Sequence, residues 1–190
     1  MLIEIPKDKN EYRSVWDKPV GIVKVNSYLY RVYILDEIYA PVEYGELVEL
    51  FHDLDEDVTV EVYLNTNGGS LDSAIMLIDT MKNSKTKVIG KLSGTVASAG
   101  TMLTMAFDEV EVAPYTSFMI HNYSSGGVSG KGNELKMQQA FIDKETAKLF
   151  KEVYKGFLTP REIKKVINDQ DMWMDKEEVE RRFAKKLEME

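Results

Sequence analysis

Between residues 58 and 120 the chain switches repeatedly between two kinds of segment, and this alternation limits its fold more than any other feature. Val58-Thr59-Val60-Glu61-Val62-Tyr63-Leu64 sets apolar residues at every second position, the pattern of a half-buried strand. An apolar helix follows over 71–82, then a strand over 87–92, a helix over 97–107, a short strand over 109–113 and a strand over 117–120. Strands joined by crossover helices pair in parallel, so the reading is an α/β fold with a mainly parallel sheet. Ligands of such sheets bind in the crevice at the carboxyl ends of the strands.

The flanking segments extend this plan. Residues 20–25 and 28–35 read as strands, the second rich in aromatic and β-branched residues. Tyr44, Leu47, Val48, Phe51 and Leu54 are spaced as an amphipathic helix, with His52 on its exposed side. Residues 133–155 form a long helix free of proline and glycine, in which Leu135, Ile142 and Leu149 recur every seven residues beside Ala140, Ala147 and Tyr154. Such a stripe serves as core or as a seam for a partner helix. Gly156 suits its C-terminal cap. Thr159-Pro160-Arg161-Glu162 is a capping box with proline at the first helical position, and Asp175 with Glu178 opens the last helix in the same way. Residues 1–18 are polar and irregular and read as an arm; 19–190 read as one domain, large enough to bury a core unaided.

Composition removes several function classes. Cysteine is absent, which excludes disulfides and thiol catalysis. A net charge of −8 argues against a nucleic-acid surface, which needs a basic stripe. No apolar run approaches membrane-spanning length, and the first residues lack the basic flank and apolar stretch of a signal peptide, so the expectation is a cytoplasmic protein. The acidic tract Asp53-Leu54-Asp55-Glu56-Asp57 reads as a solvated turn rather than a metal site.

Three motifs fall at strand ends. Asn65-Thr66-Asn67-Gly68-Gly69-Ser70 joins a strand to a helix, and paired glycines there let backbone N–H groups approach a ligand. Gly94-Thr95-Val96-Ala97-Ser98-Ala99-Gly100 presents a hydroxyl among small residues at the next strand-to-helix turn, as a nucleophile elbow does. Taken alone, Ser98 is more simply a small packing residue. His121, one of only two histidines, closes Ser117-Phe118-Met119-Ile120 and could supply the base that a nucleophilic serine needs, although a strand-end histidine also has a plain structural use. Asp171 precedes the short apolar segment Met172-Trp173-Met174, whose Trp173 and Met174 read as core.

In this order the motifs resemble the proteolytic subunit of the Clp protease, the ClpP-type serine peptidases. The likeness covers roughly residues 20–187 in element order and is specific in residues from Asn65 to His121. It implies a ClpP/crotonase-like superhelical ββα fold whose long helix is a protruding handle. It implies a Ser98–His121–Asp171 triad, with Asp169 as rival to Asp171, and an oxyanion hole from the N–H groups of Gly69 and Ala99. Gly68, Ser70, Leu71, Ser125 and Gly126 fall in two segments that would flank a bound peptide as added strands. No metal or organic cofactor is implied. The implied partners are a peptide or protein substrate, further copies of the chain in stacked rings, and a AAA+ unfoldase. The departures are Asn67 where the family usually has proline, Ala99 where methionine is common, and Asn122-Tyr123 in place of Gln-Pro. Phe183-Ala184-Lys185-Lys186 replaces the closing Gly-Leu-Val-Asp, and the arm shows little likeness to the pore-lining hairpin.

Three other readings compete. The divergent ends fit a dedicated ATP-independent protease, such as a viral head-maturation enzyme. A silent scaffold subunit would keep the fold without turnover. A crotonase-like acyl-CoA hydratase or isomerase shares the fold but needs no Ser/His pair here, and this acidic chain offers no evident basic clamp for CoA.

Overall fold

The structure, a computed structural model, describes residues 3–4, 18–124 and 129–189. Strands β2 (Gly21–Asn26) and β3 (Leu29–Ile34) form an antiparallel hairpin, closed where the Asn26 side chain accepts from the Tyr28 N–H at 2.8 Å. Beside β3 lie β4 (Thr59–Thr66), β5 (Lys87–Ala97) and β7 (Ser117–Ile120), each parallel to its neighbour. The edge strand β8 (Met172–Met174) is antiparallel to β7, and β6 (Glu109–Val112) pairs with the first half of β5. On the other edge β1 (Ile3–Glu4) pairs in parallel with β2, within the stretch that reads as an irregular arm. Even so short a strand satisfies backbone groups that the edge of β2 would otherwise expose.

The helices are α1 (Gly45–Asp53), α2 (Leu71–Asn83), α3 (Ala99–Thr104), α4 (Gly132–Val153), α5 (Pro160–Ile167) and α6 (Lys176–Leu187). Among the described residues none is long and apolar enough to cross a membrane. Their starts follow the local chemistry. Thr159 and Glu162 close the capping box on α5, and the Asp175 carboxylate accepts from the Glu178 N–H at the start of α6 at 3.0 Å. Inward-facing strand residues Val32, Val60, Leu64, Val96 and Phe118 pack with Leu77, Met102 and Leu103 from the helices in one core. The stripe on α4 is only half-buried at Leu135, Ile142 and Leu149, and burial is confined to Thr146, Phe150 and Val153 near its end. The front of α4 instead presents Met137 and Phe141, 75% and 64% exposed.

Three local readings are corrected. The strand ending at 92 continues to Ala97, and the helix read over 97–107 is only Ala99–Thr104. The cause is a change of partner. Residues 89–92 pair with β6, whereas Thr95, Val96 and Ala97 pair with Ser117, Phe118 and Met119 of β7. Gly94 makes the turn between the two halves at φ +63, where a Cβ would lie 2.8–3.0 Å from the Asn65 side chain. Asn65 Oδ1 then accepts from the Thr95 N–H at 3.1 Å and holds the second half in line. Trp173, read as core, is 65% exposed, because alternation along β8 turns Met172 and Met174 inward and Trp173 outward.

Candidate active site

The second half of β5 delivers Ser98 to a backbone conformation that side-chain-bearing residues rarely adopt, φ 54 and ψ −126. Such a conformation costs on the order of 1–3 kcal/mol and persists only where its surroundings hold it. Here the Ser98 N–H donates to the Met119 carbonyl at 2.9 Å. Its carbonyl accepts twice from Thr101, from the N–H at 2.9 Å and the hydroxyl at 2.7 Å. Thr101 Oγ1 lies 2.6 Å from the hydroxyl of Tyr154, which is buried, and burial raises the Tyr154 pKa far above the ordinary phenol value.

The glycine pair packs directly on this turn. Gly68 has φ +99, and a Cβ there would stand 2.5 Å from Ser98 Cβ, 2.9 Å from the Ala97 carbonyl and 3.1 Å from the Ala99 nitrogen. Gly69 forms a parallel bridge with Ile38, in which Ile38 donates to the Gly68 carbonyl at 2.8 Å and Ser70 donates to the Ile38 carbonyl at 2.7 Å. Backbone alternation turns the Gly69 N–H away from Ile38. Ser70 caps α2 through its hydroxyl, which accepts from the Ser73 N–H at 3.2 Å.

A cavity of about 380 Å³ lies over these groups, lined by Ser98, His121, Gly69, Ser70, Leu71 and Ala99 together with Asp72, Met102, Tyr123, Ser124, Phe150 and Tyr154. Ser98 and His121 thus share one cavity at the ends of the adjacent strands β5 and β7. Gly68 touches the Ser98 turn from beneath without lining the cavity. Ser125 and Gly126 lie outside the described residues. A larger cavity, about 890 Å³, opens among the end of α4, α5 and α6, and contains none of these groups. Among the described residues no cluster of acidic and histidine side chains could hold a metal ion.

The segment after His121 is tied down on two sides. The Asn122 side-chain N–H₂ donates to the Ile167 carbonyl at 3.2 Å and to Asp169 Oδ1 at 2.9 Å. The Tyr123 hydroxyl donates to Asp143 on α4 and accepts from Gln139, which also donates to Asp143 at 2.8 Å. Asp169, in a left-handed turn at φ 60, is therefore engaged by Asn122. Asp171 is exposed and lies one step beyond the Ile120–Met172 pair of the β7–β8 ladder, the step that sets it opposite His121. Among the described residues no hydrogen bond joins Ser98, His121 and Asp171, and Asp171 does not line the cavity.

Sequence reasoning missed the apolar walls. Met102 was in reach, four residues beyond Ser98 on the same helical face, but Phe150 and Tyr154 arrive from the end of α4, about fifty residues away in the chain.

Comparison with known proteins places the chain in one family. Residues 32–182 match the protein-family profile described as Clp protease. The chain is 32% identical over 136 residues to ATP-dependent Clp protease proteolytic subunit 3 of Rhizobium etli, covering 70% of this chain and 69% of the relative. It is 26% identical over 140 residues to the corresponding subunit 1 of Rhodococcus jostii, covering 73% and 60%. Subunit 2 of Pseudomonas aeruginosa is 29% identical over 125 residues, covering 64% and 61%. The chain thus spans between 60% and 69% of the length of these relatives.

Proposed function

The chain belongs to the Clp protease family and has an α/β fold consistent with the ClpP/crotonase type, and from that premise we propose that it is a serine endopeptidase hydrolysing peptide bonds in delivered or unfolded protein. The observation that carries the reading is the meeting of Ser98, His121 and the Gly69 and Ala99 backbone in one cavity. Ser98 Oγ attacks the peptide carbonyl while His121 takes its proton, then returns it to the leaving amine; a water repeats the cycle on the acyl-enzyme. Asp171, opposite His121 across the β7–β8 ladder, orients the imidazole and stabilises its charged form. The Gly69 N–H, turned away from Ile38, and the Ala99 N–H, at the first position of α3, stabilise the oxyanion. Gly69 and Ser70 flank the peptide, which adds alongside as a strand, with Leu71, Met102 and Phe150 offering an apolar wall to a side chain.

The working form in this reading is an assembly of several copies in the cytoplasm, with residues 19–190 as the peptidase domain and 1–18 as its arm. The exposed Met137 and Phe141 on α4 support a seam between copies, and the names of the relatives support an ATP-driven partner. The test is labelling by a fluorophosphonate, read by intact mass, on the wild type and on Ser98→Ala. One adduct on the wild type and none on the variant supports the reading. A folded, assembled wild type that takes no adduct and cleaves no peptide refutes it and favours a scaffold subunit.

A further inference from the structure

Thr101 and Tyr154 lie outside the proposed triad, yet they bear on the strained backbone of Ser98. The Thr101 hydroxyl hydrogen is committed to the Ser98 carbonyl at 2.7 Å, so the 2.6 Å contact with Tyr154 is a donation from the phenol to Thr101 Oγ1. Both side chains are buried, so neither exchanges its partner for water at low cost. Burial also keeps the phenol protonated, and hence a donor, throughout the range in which a histidine base works. Tyr154 is itself fixed. Its carbonyl accepts from the N–H groups of Phe157 at 3.1 Å and Leu158 at 2.9 Å, and its ring stands edge-on to Phe150 at 5.6 Å. It terminates α4, so the relay reaches the Ser98 turn from an element other than its own strand and helix.

We propose that Tyr154 and Thr101 are positioning residues for Ser98: a buried O–H relay, Tyr154 to Thr101 to the Ser98 carbonyl, that holds the serine turn in its reactive conformation. The assignment rests on the peptidase reading above. Without the relay, the turn keeps its Met119 and Thr101 N–H bonds but loses the hydroxyl that pins its carbonyl. The serine then samples conformations in which Oγ is out of line for attack.

The experiment measures fluorophosphonate adduct formation on the assembled full chain against probe concentration. Tyr154→Phe keeps the ring in the cavity wall and removes only the hydroxyl. It is expected to lower the limiting rate about three- to tenfold, with the half-saturating concentration unchanged. Thr101→Val is expected to lower the rate further, whereas Thr101→Ser, which keeps the hydroxyl, restores it. The double variant Thr101→Val/Tyr154→Phe is expected to be no slower than Thr101→Val alone, because the phenol acts only through the threonine oxygen. A Tyr154→Phe protein that labels at the wild-type rate, or losses that multiply in the double variant, overturns the relay. If Tyr154→Phe does not fold, the contrast between Thr101→Ser and Thr101→Val decides: equal rates overturn the proposal. A wild type that takes no adduct overturns the peptidase reading itself, a result distinct from a labelled wild type with indifferent variants.

Discussion

Gly68→Ala is the substitution whose consequence can be worked most fully. The new methyl would stand 2.5 Å from Ser98 Cβ and 2.9 Å from the Ala97 carbonyl, distances that van der Waals contact forbids. Neither neighbour is a flexible chain end, so relief has to come from the backbone of the Ser98 turn. The φ of +99 adds about 1–2 kcal/mol for a residue carrying a Cβ, and overpacking adds about 1–3 kcal/mol. A loss of about 2–5 kcal/mol in stability is expected, together with a fall of about 10² in serine labelling as Ser98 and the Ala99 N–H are pushed out of register. Gly45→Ala is the control. It lies in a helical conformation with nothing within 4 Å of the added carbon, and is expected to be neutral or slightly stabilising with unchanged labelling. Denaturant unfolding and adduct kinetics on both variants form the assay. A Gly68→Ala protein as stable and as reactive as Gly45→Ala would refute the reasoning that the glycine exists to seat the nucleophile.

Asp171→Asn is expected to lower peptide turnover about 10³–10⁴-fold while leaving the fold intact, whereas Asp169→Asn, which still offers Asn122 an acceptor, stays within about threefold. The reverse ranking in steady-state assays would assign the third position to Asp169. Glu162 receives two bonds from Arg182, at 2.7 and 3.1 Å, and these with Thr159 hold its carboxyl down to about 2. Since its folded pKa is lowered, its contribution is complete above about pH 5 and is lost as pH falls towards 2. Glu162→Gln is therefore expected to cost about 1–2 kcal/mol at neutral pH and to flatten the acid limb of the stability curve in urea titrations. Phe118→Ala removes a fully buried ring set 5.7 Å from Phe157 and is expected to cost about 3–5 kcal/mol, a drop of about 6–20 °C by calorimetry.

What the sequence made legible was set by local pattern. Alternation marked β4, the capping residues Thr159 and Asp175 marked α5 and α6, and Gly69, Ser98 and His121 fell at strand ends that the fold brings into one cavity. The misreadings arise where a distant partner decides. The small residues after Leu92 read as a strand-to-helix turn with Ala97 opening the helix, and only pairing with β7 makes Thr95–Ala97 strand. Trp173 is apolar within an apolar segment, and its exposure follows from the alternation that turns Met172 and Met174, not Trp173, to the core. Asn122-Tyr123 stood out as a departure from the family pattern. Their partners, Asp169 and Asp143, come from two other elements and could not be read from spacing.

The change of partner at Gly94 has a mechanical consequence. The three residue pairs that join Thr95–Ala97 to Ser117–Met119 run in parallel, so Ser98 and His121 both follow at their carboxyl end. Ser98 and His121, the proposed nucleophile and base, therefore ride on a single small carriage, while the rim built from β6 is coupled to the opposite half of β5. A glycine between the halves acts as an expansion joint. A shift of the β6 rim can be taken up there, while the pairing with β7 keeps the spacing of Ser98 and His121.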